Sequence, residues 1–343
     1  MFTADFDYHL PQDLIAQTPL PERDQSRMMV VDRQSNEIIH TRFNELLQYL
    51  NAGDVLVLNE TKVIPAKAWG RRGESEIEFL FLKERKKSVW EVLCKPAKKV
   101  KLGDKISFAS DFEGIVTGIE AEGKRVIQFS SSDVLSMLGK IGFPPLPPYI
   151  KRSKENKGLK LLDSERYQTV FAQKQGAIAA PTAGLHFTDR ILDETKKRGV
   201  IIIRIILDTG RATFQPVRAE RVEEHKMLAE NYSISPAAAR AIDAAKKESR
   251  PVVAVGSTVV RALESASQEE GIQAGRHSTS LFIYPGYEFK VVDHLLTNFH
   301  LPRSTLLMMV AAFSNLKLIK KAYKEAIHQK YRFYSYGDCM LIL

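Results

Sequence analysis

Residues 179 to 207 constrain the fold more than any other part of the sequence. Pro181 fixes φ and Gly184 tolerates positive φ, so this pair predicts a tight turn. Thr188 suits the N-cap of a helix that ends in basic residues before Gly199. The β-branched run after Gly199 predicts a buried strand. A turn, a helix and a buried strand in direct succession favour an α/β architecture.

The turn carries two polar side chains, Thr182 and His186, just ahead of the predicted helix. Backbone N–H groups at a helix N-terminus attract anions and lone pairs, so these residues are candidates for ligand binding. The alternative is structural, because polar residues in turns often bond only their own backbone. Residue chemistry alone leaves both interpretations open.

Helix and strand patterns alternate from Ser164 onward, which is typical of an α/β domain. The strand predicted over Pro251 to Val255 ends in Gly256-Ser257-Thr258 ahead of another helix, a second candidate anion site. It lacks the lysine and the glycine spacing of a P-loop. A third polar loop, residues 297 to 305, precedes an apolar helix. Further strands are predicted at Leu281 to Tyr284 and Phe289 to Val292, with a C-terminal helix over Leu316 to His328.

The pattern changes between about Val63 and Ile141, where short strands alternate with turn residues at the spacing of a small barrel or sandwich. A proline-rich segment, Pro144 to Tyr149, follows as a rigid linker. We therefore predict a barrel-like mixed α/β large domain, residues 1–62 and 149–343, with an inserted all-β barrel at 63–148. Lysines crowd the first half of the barrel segment, and either a solvated surface or a phosphate-binding surface explains them.

The composition adds broad limits. The 50 Lys and Arg against 41 Asp and Glu give a net charge of +9, which permits contact with a polyanion without proving it. Cys94 and Cys339 are far apart, so neither a disulfide framework nor a cysteine-rich zinc site is expected. The acidic start has no apolar signal core, and no apolar run reaches the ~20 residues that span a bilayer, so a soluble cytoplasmic protein is expected.

Several longer motifs together resemble one protein family. They are Asn59-Glu60-Thr61-Lys62-Val63-Ile64-Pro65-Ala66, Ala180-Pro181-Thr182-Ala183-Gly184-Leu185-His186-Phe187-Thr188, Val255-Gly256-Ser257-Thr258, Arg261-Ala262-Leu263-Glu264, Phe282-Ile283-Tyr284-Pro285-Gly286-Tyr287, Leu296-Thr297-Asn298-Phe299-His300-Leu301-Pro302 and Tyr334-Ser335-Tyr336-Gly337-Asp338. The sequence is similar over essentially its whole length to the S-adenosylmethionine:tRNA ribosyltransferase-isomerases of queuosine biosynthesis.

The resemblance implies a reaction and its partners. The ribosyl group of S-adenosylmethionine would be isomerised and placed on 7-aminomethyl-7-deazaguanine at the tRNA wobble position, giving epoxyqueuosine, adenine and methionine. S-adenosylmethionine would act as a substrate, and no metal or membrane is implied. A monomer is expected. The resemblance also implies a larger α/β barrel-like domain with a smaller inserted β-barrel.

Motif position and residue chemistry together suggest roles for individual residues. His186 is the leading general acid/base candidate and His300 the second, because histidine transfers protons near neutral pH. Thr182, Gly184, Ser257, Thr258 and Asn298 would hold the substrate through hydrogen bonds. Arg303 and Arg261 would meet a carboxylate or phosphate, although Arg261 could equally form a structural pair with Glu264.

The sequence departs from the family pattern at a few positions. Asp208-Thr209-Gly210-Arg211-Ala212 stands where a His-Val-Gly-x-Gly run is expected, Leu228 replaces a histidine, and Ser280 replaces an aspartate. A catalytically weakened tRNA-binding relative therefore stays open as an alternative. So does a small-molecule S-adenosylmethionine enzyme, which nothing in the sequence specifically favours.

Overall fold

The computed structural model describes residues 1–109, 112–152, 157–208 and 217–343. Its strands are β1 (Arg27–Val31), β2 (Ile38–Arg42), β3 (Val55–Asn59), β4 (Thr61–Val63), β5 (Lys67–Arg72), β6 (Ser75–Lys86), β7 (Val89–Lys95), β8 (Lys105–Ala109), β9 (Phe112–Ile119), β10 (Lys124–Phe129), β11 (Lys174–Ala177), β12 (Ile201–Leu207), β13 (Glu230–Ile234), β14 (Val252–Val255), β15 (Ser267–Gln268), β16 (Gly271–Ile272), β17 (Gly275–Thr279), β18 (His294–Asn298) and β19 (Cys339–Ile342). The α-helices of these residues are α1 (Val134–Ile141), α2 (Lys157–Arg166), α3 (Asp189–Lys197), α4 (Pro236–Lys247), α5 (Ser257–Ala266), α6 (Thr305–Phe313) and α7 (Leu316–His328).

A nine-stranded mixed sheet organises the larger part of the chain, in the order β17-β13-β12-β3-β14-β18-β19-β1-β2. Its centre is parallel, since β12 and β14 both run alongside β3 and β18 runs alongside β14. These central strands are nearly continuous apolar runs, as expected of parallel strands buried on both faces. One face packs on α4 to α7 through side chains such as Ile242 and Met308, and the other packs on α3 through Ile191 and Leu192.

The carboxyl ends of these parallel strands position the candidate site. Asn59 ends β3, Gly256 follows β14, and Asn298 ends β18. Parallel neighbours in register end at the same edge, and open α/β sheets bind ligands there. Asn59 also ties two strands together at this edge, because its side-chain amide exchanges hydrogen bonds with both backbone groups of Leu207, at 3.0 and 3.1 Å.

A closed antiparallel barrel, in the order β10-β7-β6-β5-β8-β9, forms the second sheet system. Its interior is aromatic, with Phe81 contacting Phe108 and Phe129 at ring-centroid distances of 5.5 and 5.8 Å. Gly114 is needed where the barrel wall closes, because a Cβ there would lie 2.5 Å from Cγ2 of Ile127. The predicted fold class, an α/β body with a small all-β barrel, is confirmed. The domain boundaries at residues 62/63 and 148/149 stay a prediction.

Local signals predicted most of the helices well. The predicted N-cap Thr188 accepts from the backbone N–H of Ile191 at the start of α3. Ser235 caps α4 in the same way through Ala238. The C-terminal helix has the predicted bounds, Leu316–His328.

The strands predicted at Leu281 to Tyr284 and Phe289 to Val292 are wrong. The backbone of neither segment forms a strand in the structure. The Glu264 carboxylate accepts the N–H groups of Lys290, Val291 and Val292 at 2.9, 3.1 and 3.0 Å, so these groups do not join a β-ladder.

Candidate active site

A cavity of about 70 Å³ lies at the carboxyl edge of the parallel strands. Its wall includes these sequence-predicted residues: Thr182, Ser257, Thr258, Asn298 and His300. They come from separate segments, namely the turn before α3, the start of α5 and the end of β18 with the loop after it. The three polar loops singled out in the sequence therefore meet at one cavity.

The step from β14 to α5 supplies backbone donors to this cavity. Gly256 has φ +89°, a left-handed conformation that favours glycine, and α5 begins at Ser257 directly afterwards. Among the described residues no side chain caps this helix start. The first N–H groups of a helix have no partner within the helix, so this end of α5 can bind an anion or a lone pair.

Asn298 lies in the cavity wall and carries a side-chain oxygen without a hydrogen-bond partner among the described residues. Its Nδ2 donates to the carbonyl of Tyr334 at 3.1 Å and to Nε2 of His186 at 3.2 Å, which fixes the orientation of the amide. Its Oδ1 is buried and has no hydrogen-bond partner in the described part of the chain. A buried acceptor left unpaired costs about 1–3 kcal/mol. A ligand N–H or O–H at this position would remove that cost.

His186 lies behind Asn298 rather than in the cavity wall. Its Nδ1 is 2.7 Å from Oγ of Ser26, and its Nε2 accepts from Asn298, so the proton lies on Nδ1. Burial lowers the pKa of His186 to about 3, helped by the positive charges of Arg23 and Arg332. His186 is therefore neutral at pH 7 and contacts the cavity only through Asn298.

His300 contributes directly to the cavity wall. Its Nε2 lies 2.9 Å from Oγ1 of Thr297, and its backbone N–H donates to the hydroxyl of Tyr323 at 3.0 Å. Its carbonyl accepts from the hydroxyl of Tyr8. Burial lowers the pKa of His300 to about 3, so this imidazole too is neutral at pH 7.

Gly184 and the two predicted arginines are not in the cavity wall. Gly184 serves packing, because a Cβ there would lie 2.8 Å from Cζ of Phe171. Arg303 is largely exposed and pairs with Asp7. Arg261 is buried against Glu230 on β13 rather than paired with Glu264. Neither arginine is therefore placed to meet a ligand in this cavity.

Aromatic side chains that sequence reasoning did not assign to the site also line the cavity. Tyr149 and Tyr334 lie with ring centroids 4.6 Å apart, and the Tyr149 hydroxyl shares a 2.7 Å hydrogen bond with Oγ of Ser335. Aromatic rings are common stacking partners for nucleobases. The aromatic-rich sequence around Tyr334 could have indicated a base-stacking surface. Tyr149, in contrast, belongs to a proline-rich segment that predicts only a linker.

The positions that depart from the family pattern lie partly within the described residues. Asp208 follows β12, and burial raises the pKa of its carboxyl group. The run from Thr209 to Ala212 lies outside the described residues. Leu228 is 42% exposed, which is compatible with a surface position.

The described residues also bear on metal sites and membrane-spanning helices. Within residues 1–109, 112–152, 157–208 and 217–343, no cluster of three or more His, Cys, Asp or Glu is arranged to hold a metal ion. Over the same described ranges, no helix combines the length and apolar character needed to cross a bilayer.

The fold and the cavity define an α/β protein that carries a small β-barrel and has a polar-lined cavity at the carboxyl ends of its parallel strands. A family model described as queuosine biosynthesis protein matches residues 3–342. The chain therefore belongs to the queuosine biosynthesis protein family.

Named relatives agree over the full length. The chain is 49% identical to the S-adenosylmethionine:tRNA ribosyltransferase-isomerase of Halothermothrix orenii, with 100% of both chains covered. It is 47% identical to the protein of that name from Desulforamulus reducens, again with 100% of both covered. The crystal structure of S-adenosylmethionine tRNA ribosyltransferase from Thermotoga maritima is 36% identical and superimposes with a TM-score of 0.57, covering 99% of this chain and 100% of that one.

Proposed function

We propose that this chain is an S-adenosylmethionine:tRNA ribosyltransferase-isomerase. It transfers and isomerises the ribosyl group of S-adenosylmethionine onto 7-aminomethyl-7-deazaguanine at the wobble position of tRNA. The products are epoxyqueuosine-tRNA, adenine and methionine. The observation that carries the proposal is the full-length family match together with the meeting of Thr182, Ser257, Thr258, Asn298 and His300 at one cavity. The enzyme acts as a monomer in the cytoplasm and uses no metal.

The cavity offers groups that suit a nucleobase and a sugar. The unpaired Oδ1 of Asn298 accepts a hydrogen bond from an exocyclic amino group, and Tyr149 and Tyr334 provide aromatic surface for the base. Backbone N–H groups at the start of α5, with the hydroxyls of Ser257 and Thr258, bind ribose oxygens. Thr182 adds a hydroxyl from the facing turn.

The two histidines have different roles. The sulfonium acidifies the neighbouring ribose CH₂, and His300, which lines the cavity in its neutral form, is the group that takes this proton. His186 holds the Asn298 amide through Nε2, so it acts as a positioning residue for the base-binding acceptor. The aminomethyl group of the tRNA base attacks as a free amine. Burial keeps both imidazoles neutral at pH 7, which is the protonation state that a proton acceptor requires.

Adenine release is the measurement that tests this function. The purified chain should release adenine from S-adenosylmethionine only when tRNA carrying the 7-aminomethyl-7-deazaguanine precursor is present. Salt-sensitive tRNA binding without adenine release would instead identify a non-catalytic relative. Release that does not require RNA would identify a small-molecule enzyme.

The variant His186→Gln tests the role of one residue in the same assay. It should leave tRNA affinity largely intact while adenine release falls by at least about tenfold, because the Ser26–His186–Asn298 chain is broken. His9→Gln, at an exposed histidine, is the control. Adenine release by His186→Gln at the control rate would remove His186 from the mechanism.

A further inference from the structure

A second, smaller cavity adjoins the candidate active site. Its volume is about 20 Å³, and its wall includes Arg23, Arg166, His186 and Ser335. Ser335 lines both cavities, and His186 contacts Asn298 in the wall of the larger one. The two cavities are therefore neighbours that share Ser335 in their walls.

Arg23 and Arg166 each donate hydrogen bonds to backbone carbonyls of the segment that carries the other arginine. Arg23 donates to the carbonyls of Leu185 and Glu165 at 3.1 and 3.3 Å. Arg166 donates to those of Pro21 and Leu20 at 2.9 and 2.7 Å. In the described part of the chain neither guanidinium has a carboxylate within ion-pair distance, and the carboxylates of Glu165 and Asp189 act on Arg23 only from farther away.

Arg332 adds a third positive charge near this cavity. Its Nη2 donates to the carbonyl of Thr18, and it lies close enough to His186 to lower the pKa of that imidazole. Nη1 of Arg332 and Nε of Arg166 are both buried without a hydrogen-bond partner among the described residues. Burial lowers the pKa of Arg23 and Arg332. Clustered, partly desolvated guanidinium groups with unused donors are typical of a site that receives an anion.

We propose that the cavity lined by Arg23 and Arg166 is an oxyanion subsite of the active centre. This inference rests on the proposed function. The subsite takes either the carboxylate of the methionine moiety of S-adenosylmethionine or a phosphate of the bound tRNA. The volume of about 20 Å³ admits one or two oxygen-sized groups rather than a nucleotide, which fits a carboxylate or the edge of a phosphate. The role of binding an anion, predicted for Arg303 and Arg261, is assigned to this subsite instead, because those two arginines already pair with Asp7 and Glu230.

Equilibrium binding to Arg23→Gln and Arg23→Lys tests the subsite. Arg33→Gln is the matched control, because Arg33 is also partly buried and donates to backbone carbonyls, those of Leu343, Phe313 and Asp293. Affinities are measured for S-adenosylmethionine, for its decarboxylated analogue, and for precursor tRNA over a range of salt concentrations. Thermal unfolding reports whether each variant is folded.

The two anion sources give different results. If the carboxylate is bound, Arg23→Gln weakens S-adenosylmethionine binding about tenfold and leaves the decarboxylated analogue unchanged, with Arg23→Lys intermediate. If a phosphate is bound, the logarithmic salt slope of tRNA binding falls by about one in Arg23→Gln, and S-adenosylmethionine affinity is unchanged. Arg23→Gln that binds every ligand like Arg33→Gln overturns the proposal.

Two further arms keep the test decisive. Should Arg23→Gln fail to fold, Arg166→Gln replaces it with the same expected results, because Arg166 also lines the cavity and its Nε has no hydrogen bond to lose among the described residues. These are binding measurements, so they do not depend on turnover. A wild-type chain that shows the Arg23-dependent affinities but releases no adenine refutes the proposed function and leaves the oxyanion subsite standing.

Discussion

Asn298 connects the two halves of the candidate site. Its Nδ2 bonds to His186 and to the Tyr334 carbonyl, whereas its Oδ1 is left as a buried acceptor in the cavity wall. His186 in turn contacts Ser26, which lines the smaller cavity around Arg23 and Arg166. A ligand group in either cavity is therefore only a few hydrogen bonds from the other.

The buried histidines make the stability of the chain depend on pH. Burial holds the pKa of His186 and of His300 at about 3, below the ordinary value of 6.5 that applies in the unfolded chain. Between these values the unfolded chain binds protons that the folded chain does not, so stability is fully present above about pH 6.5 and falls as the pH decreases toward 3. Each histidine contributes a slope of up to about 1.4 kcal/mol per pH unit in this window.

Urea unfolding at several pH values checks this expectation. The free energy of unfolding of His300→Gln should depend less steeply on pH between about 6 and 4 than that of the wild type. His9→Gln, at an exposed position, should follow the wild type. Parallel curves for His300→Gln and His9→Gln would mean that His300 takes up its proton in the folded state.

At the scale of elements, the junction between β14 and α5 is the part of the site that depends most on backbone conformation. Gly256→Ala places a side chain at φ +89°, although its Cβ would lie 3.6 Å from Cβ of Ala183 and so makes no clash. With ψ at 156° this backbone conformation is essentially restricted to glycine, so the strain should cost about 1–3 kcal/mol of folding stability. It should also weaken S-adenosylmethionine binding, because the N–H groups at the start of α5 shift. Urea unfolding and equilibrium binding measure the two effects.

Gly139→Ala is the matched control for this substitution. Gly139 lies in α1, where an added Cβ would meet nothing within 4 Å and φ is not strained, so alanine there should be neutral or slightly stabilising. If Gly256→Ala binds S-adenosylmethionine as tightly as Gly139→Ala does, the start of α5 is not part of the binding site.

Elements with local signals could be predicted, and elements set by distant partners could not. Thr188, Ser235 and Gly256 act within a few residues of their own helices. In contrast, β17 is a short polar strand defined by its pairing with β13. The apolar segment before β18 is held by hydrogen bonds from Val291 and Val292 to the distant Glu264 carboxylate. No periodicity in the sequence predicts that contact.

The same distinction separates the site residues. Ser257, Thr258, Asn298 and His300 reach the cavity because they lie at or just after the ends of parallel strands, and the topology brings those ends together. The partner of an arginine, however, is set by tertiary packing. Arg303 and Arg261 are occupied by Asp7 and Glu230, which are distant in sequence, while Arg23 and Arg166 come together from segments about 140 residues apart.

Over the whole molecule, the net charge of +9 comes from basic side chains of two kinds, those paired with a carboxylate and those that are not. On the barrel, Lys105 pairs with Glu113 at 2.6 Å, and Arg85 pairs with Glu91 and Glu120. Lys98 and Lys99 lie exposed on a short helical turn, and within the described residues neither has a carboxylate partner. Charge that has no internal partner is the part available to a polyanion.

The lysine pair on this turn distinguishes a tRNA-binding surface from a merely solvated one. Replacing Lys98 and Lys99 together by glutamine should reduce the logarithmic salt slope of tRNA binding by about two, since each phosphate contact contributes roughly one. Lys105→Gln should leave the slope unchanged, because the Lys105 charge is already paired with Glu113. Equal slopes in the double variant and in Lys105→Gln would assign these lysines to solvation. The tRNA would then have to reach the cavity over another face, and the oxyanion subsite around Arg23 offers positive charge beside the cavity to receive its backbone.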